Sequence, residues 1–380
     1  MTVEAHAKVN LSLEVFGKRA DGYREIRTVL APIGLCDILE FNSAEDGQVS
    51  TNSGYGEGDL VVKAVHALWA VGAQGGVSVK VEKRIPVGGG LGGGSADAAA
   101  TLVALNSLWG LGKTVEAHAK VNLSLEVFGK RADGYREIRT VLAPIGLCDV
   151  LEFNAAEEGQ VSTDTGYGEG DLVVKAVRAL WAVGARGGVS VKVEKRIPVG
   201  GGLGGGSADA AATLLALNSL WCFGKTIEEL ALIGAAIGSD VPALVLANAC
   251  RSAVLAEGRG ERVRLLPWDV AFKGSSCLEM RLVLANPRIH SSTAEVYSRC
   301  AVRTAVSPSP VNDLQEPACA IYPEIGAAIE ALSSAGAEDV MMSGSGATVF
   351  GYAKDDAAAE AIAEKVRAKG MWAEVTQFLV

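Results

Sequence analysis

Along residues 119–128, AKVNLSLEVF, apolar and polar positions alternate, and the same period returns in REIRTVLAPI (136–145) and DVLEF (149–153). A period of two sends successive side chains to opposite faces of an extended chain, so these stretches are predicted strands of one sheet. In DLVVKAVRALWAVG (171–184) Val173, Ala176, Val177, Leu180 and Trp181 recur every three or four positions and a glycine closes the run. That is the pattern of an amphipathic helix. GVSVKVEKRIP (188–198) alternates again and stops at Pro198. Next, GGGLGGGSADAAATLLALNSLW is a glycine loop running into an Ala/Leu-rich helix, and TIEELALIGAAIG (226–238) reads as a second helix. Beyond about residue 265 the pattern predicts a strand (280–286), helices (292–300 and 312–335), a strand (347–353), a helix (356–370) and a strand (372–380). That order describes a second α+β domain.

The chain also repeats itself. Thr2–Lys113 recurs as Thr114–Lys225 at a constant offset of 112, with differences at only ten positions: 38, 43, 46, 52, 53, 66, 74, 103, 110 and 111. Solenoid repeats are shorter and more numerous, so two long copies read instead as a duplicated piece of domain. GKTVEAHAK (112–120) and GKTIEELAL (224–232) share their opening, so the first copy breaks off where the second runs on. The expected organisation is a partial copy over 1–113, a complete first domain over 114–265 and a second domain over 266–380. Copy one holds Lys8, Asn10, Tyr23 and Gly88–Ser95, but nothing matching Asp240. Its helix face (Val61, Ala64, Val65, Leu68, Trp69) lacks the partners that 226–265 supplies to the second copy. Copy one is therefore expected to be loose, or to self-associate with another copy.

Composition narrows the classes. Of 380 residues, 49% are hydrophobic and 21% charged, enough apolar side chains to offset the entropy of ordering. Lys plus Arg number 35 against 44 Asp plus Glu, a net charge of -9 with no basic stripe, which disfavours a nucleic-acid partner. No apolar run reaches the ~18–20 residues of a membrane helix, and the start MTVEAHAKVN lacks a basic-then-apolar signal, so no membrane partner and a cytoplasmic location are expected. Seven scattered cysteines without CxxC spacing indicate neither a disulfide framework nor a zinc site and read as reduced core thiols.

Candidate chemistry lies in the loop Pro198-Val199-Gly200-Gly201-Gly202-Leu203-Gly204-Gly205-Gly206-Ser207-Ala208-Asp209, between a predicted strand and a predicted helix. Glycines let successive backbone N–H groups converge on an anion, and the helix start adds unpaired amides and the positive end of its dipole. Polyphosphate is the natural ligand. The loop fits neither GxxxxGK[ST] nor GxGxxG, so the P-loop and dinucleotide fingerprints do not apply.

From Pro198 the run Pro-x-x-x-Gly-Leu-Gly-Gly-Gly-Ser-Ala-Asp-Ala-Ala resembles the phosphate loop of the galactokinase, homoserine kinase, mevalonate kinase and phosphomevalonate kinase (GHMP) superfamily. Ala119-Lys120-Val121-Asn122-Leu123, Arg131-Ala132-Asp133-Gly134-Tyr135, Gly238-Ser239-Asp240-Val241-Pro242, Asn312-Asp313-Leu314 and Met342-Ser343-Gly344-Ser345-Gly346-Ala347 resemble its branch that acts on a cytidine-diphosphate-linked methylerythritol. The resemblance implies an α+β fold with an S5-like N-terminal domain and a ferredoxin-like C-terminal domain, here preceded by the extra partial copy. It implies ATP-dependent phosphorylation of the substrate's 2-hydroxyl, in the non-mevalonate route to isoprenoid precursors. Mg2+ would be held mainly by phosphates and water, and no residue is assigned as a metal ligand.

By the same resemblance, Asp240 accepts or orients the hydroxyl proton, and Lys120 lowers the alcohol's effective pKa and neutralises phosphate charge. Pro198, Gly200, Gly201, Gly202, Leu203, Gly204, Gly205, Gly206, Ser207 and Ala208 form the ATP phosphate site. Asn122, two residues from Lys120 on one strand, reaches the same pocket. Tyr135 and Tyr297 would stack on the cytosine. Arg136 stands where the family usually has His, and Asp171 where it commonly has Asn near the nucleoside, although Asp171 equally reads as a helix N-cap. Ser343, Gly344, Ser345 and Gly346 back the phosphate loop. Short connection to the Asp240 segment favours Lys120 over Lys8 as the catalytic lysine. Two alternatives stay open: another GHMP small-molecule kinase of the homoserine or mevalonate type, or a nucleotide-binding protein whose catalysis the duplication has impaired.

Overall fold

The computed structural model describes residues 1–18, 24–54, 56–70, 73–109, 113–131, 134–272, 280–307 and 309–380, so Tyr23, Ala132, Asp133 and Cys277 lie outside the described residues. The chain divides into two compact units, Met1–Gly112 and Lys113–Val380.

The first unit contains β1 (Thr2–Lys18), β2 (Arg24–Ala44), β3 (Val49–Thr51), α1 (Leu60–Ala70), β4 (Gly76–Glu82) and α2 (Gly93–Leu108). Its sheet runs β1-β2-β4-β3. Leu39, Phe41, Val61, Val65, Val77, Val79 and Leu105 form its core.

The second unit opens with the same arrangement: β5 (Lys113–Lys130), β6 (Arg136–Ala156), β7 (Val161–Thr163), α3 (Leu172–Ala182), β8 (Gly188–Glu194) and α4 (Gly205–Leu220). It continues with α5 (Ile227–Gly234), α6 (Val241–Cys250), β9 (Ala253–Gly258), β10 (Arg262–Leu266) and α7 (Trp268–Ala271). β6 is the hub, because its 21 residues are long enough to pair with β5, with β8 at Val150–Ala156 and with β9 at Ile138–Leu142. α4 carries Ala208, Ala210, Ala211, Ala212 and Ala216, all buried, and side chains this small let it sit close to its neighbours.

Residues beyond β10 form the second half of this unit: β11 (Arg281–Asn286), α8 (Thr293–Arg299), α9 (Gln315–Ile321), α10 (Pro323–Ala335), β12 (Glu338–Met342), β13 (Val349–Ala353), α11 (Asp356–Ala368) and β14 (Trp372–Thr376). Their antiparallel sheet runs β12-β13-β11-β14, the split βαβ order of a ferredoxin-like domain.

Several elements depart from the sequence reading. The expected helix over 312–335 is two helices, because Pro323 cannot continue α9 and instead starts α10. α6 was not foreseen because it is buried nearly all round and shows no amphipathic period, and β9 and β10 follow it unforeseen. Among the cysteines, Cys36, Cys148 and Cys300 are buried, but Cys222 and Cys250 are exposed and so are not core thiols. No described helix is long and apolar enough to cross a membrane.

Identical residues meet different surroundings in the two units. Leu123, Leu125, Val127 and Leu142 are 7, 4, 0 and 2% exposed, whereas Leu11, Leu13, Val15 and Leu30 are 68, 54, 55 and 55% exposed. In the second unit Leu125 and Val127 pack with Val283, Val296 and Leu314, and β9 pairs with the Ile138–Leu142 edge. The first unit ends before any counterpart of those elements.

Candidate active site

A cavity of about 1220 Å3 in the second unit is lined by β5, β6, the loop before α4, the start of α6, α8 and the glycine turn at 344–346. Each wall derives from local sequence.

The loop between β8 and α4 alternates backbone handedness. Gly200, Gly202 and Gly204 have φ of 67, 77 and 73°, values that only glycine takes without strain. At Gly202 a Cβ would also lie 2.2 Å from the Ser343 carbonyl oxygen, so the second glycine turn holds this loop in place. α4 begins at Gly205 with Gly204 as N-cap, no side-chain cap and no acidic residue in its first turn. Its opening amides are therefore left for an anion, with the helix dipole behind them.

Lys120 is 2% exposed on β5 beneath this loop. Its Nζ donates to Asn122 Oδ1 at 2.6 Å and to the Gly202 carbonyl at 2.8 Å, and Asp240 Oδ2 lies 3.5 Å away. Asp240 occupies the N-cap position of α6, yet its side chain makes no cap hydrogen bond, and it is 39% exposed at the cavity. Pro242 in the first turn already suits the helix start, so the carboxylate is released from structural work. Asn122 Nδ2 donates to Thr140 Oγ1 at 2.8 Å, and Ser343 Oγ donates to the Gly202 carbonyl at 3.1 Å. Asn312 fixes the second glycine turn by donating to the Met342 and Gly344 carbonyls at 2.7 and 2.8 Å.

At the other end, Tyr135, Arg136 and Tyr297 all line the cavity. The Arg259 guanidinium sits 5.4 Å from the Tyr135 ring centre, and Arg136 Nη2 donates to the Tyr297 carbonyl at 3.3 Å. Burial, with the Asp240 charge adding to it, pushes the Tyr297 phenol well above its usual range and keeps it neutral.

Nearly all the residues expected from sequence meet here, with four qualifications. Leu203 and Ala208 do not line the cavity: their side chains belong to the core, and Leu203 contributes its carbonyl to the Lys120 amide at 3.0 Å. Ser343 is fully buried and acts by holding Gly202 and Asn122. Asp171 lies on the cavity wall, but both carboxylate oxygens are engaged, Oδ1 by the Val173 amide at 2.8 Å and Oδ2 by Thr163 and Thr165. It is an N-cap.

Sequence reasoning missed a buried charge cluster behind the loop. Lys195 Nζ bridges Asp149 Oδ2 at 2.5 Å and Asp209 Oδ2 at 2.7 Å, while Asp209 Oδ1 is buried without a partner. One ammonium cannot compensate two buried carboxylates, and burial pushes Asp209 up to about 7. Burial also opposes the charge on Lys195, but the two carboxylates outweigh it and hold its ammonium above the ordinary range.

Known proteins share these segments. The family model described as GHMP kinases N terminal domain matches residues 59–136 and 171–248, and that described as GHMP kinases C terminal matches 302–370. The chain belongs to the GHMP kinase family. A 4-diphosphocytidyl-2-C-methyl-D-erythritol kinase from Citrifermentans bemidjiense is 36% identical to this GHMP kinase over 282 residues, covering 68% of this chain and 95% of that protein. One from Cupriavidus necator is 39% identical over 269 residues, covering 66% and 87%. A crystal structure of a 4-(cytidine 5'-diphospho)-2C-methyl-D-erythritol kinase superposes on this GHMP kinase with a TM-score of 0.58 and 34% identity, covering 70% of this chain and 99% of that one.

Proposed function

We propose that this chain is an ATP-dependent kinase that phosphorylates the 2-hydroxyl of 4-diphosphocytidyl-2-C-methyl-D-erythritol, in the non-mevalonate route to isoprenoid precursors. The relatives above, matched over nearly their whole length, support this reading. The observation that carries it is Lys120 Nζ lying 3.5 Å from Asp240 Oδ2 under a glycine loop that leads into an uncapped helix.

The triphosphate binds against the loop Gly200–Ser207, where amides and the α4 dipole meet its charge. Asp240, unused as a cap, receives the proton of the substrate hydroxyl. Lys120 stays oriented through Asn122 and Gly202, with its third donor toward Asp240 and the incoming oxygen. It offsets negative charge as the phosphoryl group moves. Tyr135 and Tyr297 flank the cytosine, with Arg136 and Arg259 beside them.

Mg2+ fits this site only as a partner of the phosphates. Among the lining carboxylates Asp171 caps a helix and Asp209 is paired with Lys195, so Asp240 and the Ser207 hydroxyl would be the side chains within reach of an ion held mainly by phosphate and water. When bound, Mg2+ neutralises charge on the phosphates.

The first unit is a surplus partial copy without activity of its own. Lys8 Nζ donates to Asn10 Oδ1 at 2.5 Å and to the Gly90 carbonyl at 2.7 Å, repeating the Lys120 geometry, but that unit ends before any Asp240 counterpart. Its exposed Leu11, Leu13, Val15 and Leu30 support the same reading.

Steady-state ADP release tests the assignment. ATP turnover should depend on the cytidyl substrate and should not respond to homoserine or mevalonate. Turnover with either of those alcohols, or none with the cytidyl substrate, would overturn it.

A further inference from the structure

Away from the cavity, the pairing of β5 with β6 brings together three side chains, one of them far from the others in sequence. His118 lies directly opposite Cys148 in the register, and Glu116 is two residues before His118 on the same strand face. One ligand atom from each lies within 4.8 Å of the other two. His118 Nε2 is 3.3 Å from Glu116 Oε2. With metal–ligand bonds of about 2.0–2.3 Å, the ligands of a tetrahedral zinc site sit about 3.3–3.6 Å apart. The three groups therefore need to close by at most about 1.5 Å.

Two further observations point to a ligand. The His118 side chain is only 12% exposed, and its buried Nδ1 has the Ile145 and Gly146 backbone beside it. In the first unit the equivalent His6 Nδ1 lies 3.3 Å from the Ile33 carbonyl. An imidazole that binds metal through Nε2 commonly donates Nδ1–H to a backbone carbonyl, which fixes its tautomer. Ile145, which matches Ile33, is the backbone partner on the His118 side. The repeat also carries the whole set a second time, as Glu4, His6 and Cys36, within the same 4.8 Å limit.

We propose that Glu116, His118 and Cys148 bind one borderline-soft divalent cation of the Zn2+ class, with water as fourth ligand, and that Glu4, His6 and Cys36 form an equivalent site in the first unit. The donor set decides the metal. One thiolate, one imidazole and one carboxylate select Zn2+ or Co2+ over Mg2+, which requires oxygen ligands in octahedral array. Glu116 is exposed and gives the ion an entry side, while Cys148 is buried beside it. Binding replaces the Cys148 S–H bond with an S–metal bond and releases the proton to solvent. The site lies outside the phosphate cradle, so it stands or falls independently of the kinase assignment.

The test is a Co2+ titration of the full chain followed by thiolate-to-cobalt charge-transfer absorption, with Zn2+ competition to displace the band. Two equivalents are expected per chain. Cys148→Ser and Cys36→Ser should each remove one and the double variant both, with thermal melting of the metal-free proteins as the folding control. His118→Gln keeps the thiol and should still lose the equivalent of the second unit. A wild-type protein with no thiolate–cobalt band, or a band that survives in the double serine variant, overturns the proposal. A single equivalent abolished by Cys148→Ser supports the second-unit site and overturns the first.

Discussion

Asp240→Asn removes one carboxylate charge and keeps the shape of the side chain. Asp240 makes no cap hydrogen bond, is 39% exposed and stands 3.5 Å from Lys120 Nζ, so little stability depends on it. Its loss should appear in the chemical step. Positioned proton transfer contributes about 10²–10⁴-fold, which is about 2.7–5.4 kcal/mol of barrier. Lys120→Met differs, because it strips a donor from the buried Asn122 Oδ1 and the part-buried Gly202 carbonyl, and the single Ser343 hydroxyl that reaches both can satisfy only one of them. An unsatisfied buried acceptor costs about 1–3 kcal/mol, which in a unit of this size should lower Tm by about 2–5 °C. The assay is kcat for ADP release at saturating ATP and substrate, with ATP affinity by equilibrium titration and Tm by calorimetry. Asp240→Asn should lower kcat at least 100-fold with ATP affinity and Tm unchanged. Lys120→Met should lower both kcat and Tm. Because the two groups act as a unit, the double variant should cost little more in kcat than the worse single one. A kcat for Asp240→Asn within tenfold of wild type, or an effect confined to ATP affinity, refutes the proton-transfer role.

Gly202→Ala puts a Cβ 2.2 Å from the Ser343 carbonyl at a φ of 77° and should raise the KM for ATP about tenfold or more, since left-handed strain alone is about 1–2 kcal/mol; an unchanged KM would show that the loop does not carry the phosphates. Asp209 sits at about 7, so it gains charge beside the cradle as pH rises from 6 to 8, and the KM for ATP should climb severalfold over that window and flatten in Asp209→Asn. The same group has a folded pKa raised above the ordinary 3.8, so its contribution to stability is present below 3.8 and is lost as pH rises toward about 7; urea midpoints of Asp209→Asn should lose that part of the pH slope. A chain reduced to residues 113–380 should retain the kcat of the full protein, and limited proteolysis of the full chain should cut near 105–118; a fragment without activity would assign the first unit a necessary role.

The strands over 119–153, the helix at 171–184 and the glycine loop were legible because local period and turn chemistry determine them. α6 was not, since a helix buried nearly all round has no polar face to reveal its period. Without it the β9–β10 hairpin and Arg259 could not be anticipated, nor that Tyr135 already carries a cation over one face. Lys120, Asn122 and Asp240 were found through motif resemblance, because Lys120 and Asp240 are 120 positions apart in the chain. The Asp149–Lys195–Asp209 and Glu116–His118–Cys148 clusters left no such mark. The second depends on which residues face one another across β5 and β6, and the first on how α4 brings Asp209 to Asp149 of β6 and Lys195 just past β8; both are fixed by the core rather than by any local signal.

The repeat separates what a sequence segment can do alone from what it does in context. Lys8 and Lys120 make the same two hydrogen bonds within nearly identical blocks, so the lysine–loop contact is a property of the block itself. Burial is not. Leu125 and Val127 lose their water only because residues beyond 280 pack over β5, and the carboxylate that meets Lys120 comes from the start of α6. Lys8 lacks that covering and is part-exposed, so solvent screening weakens its charge more than that of Lys120, which is 2% exposed. On the proposed mechanism, an ammonium in a phosphate cradle does not suffice for phosphoryl transfer. In that mechanism the block would supply the anion site, while residues 226–380 would supply both the proton acceptor, Asp240, and the apolar packing around β5 that makes the electrostatics of the pair count.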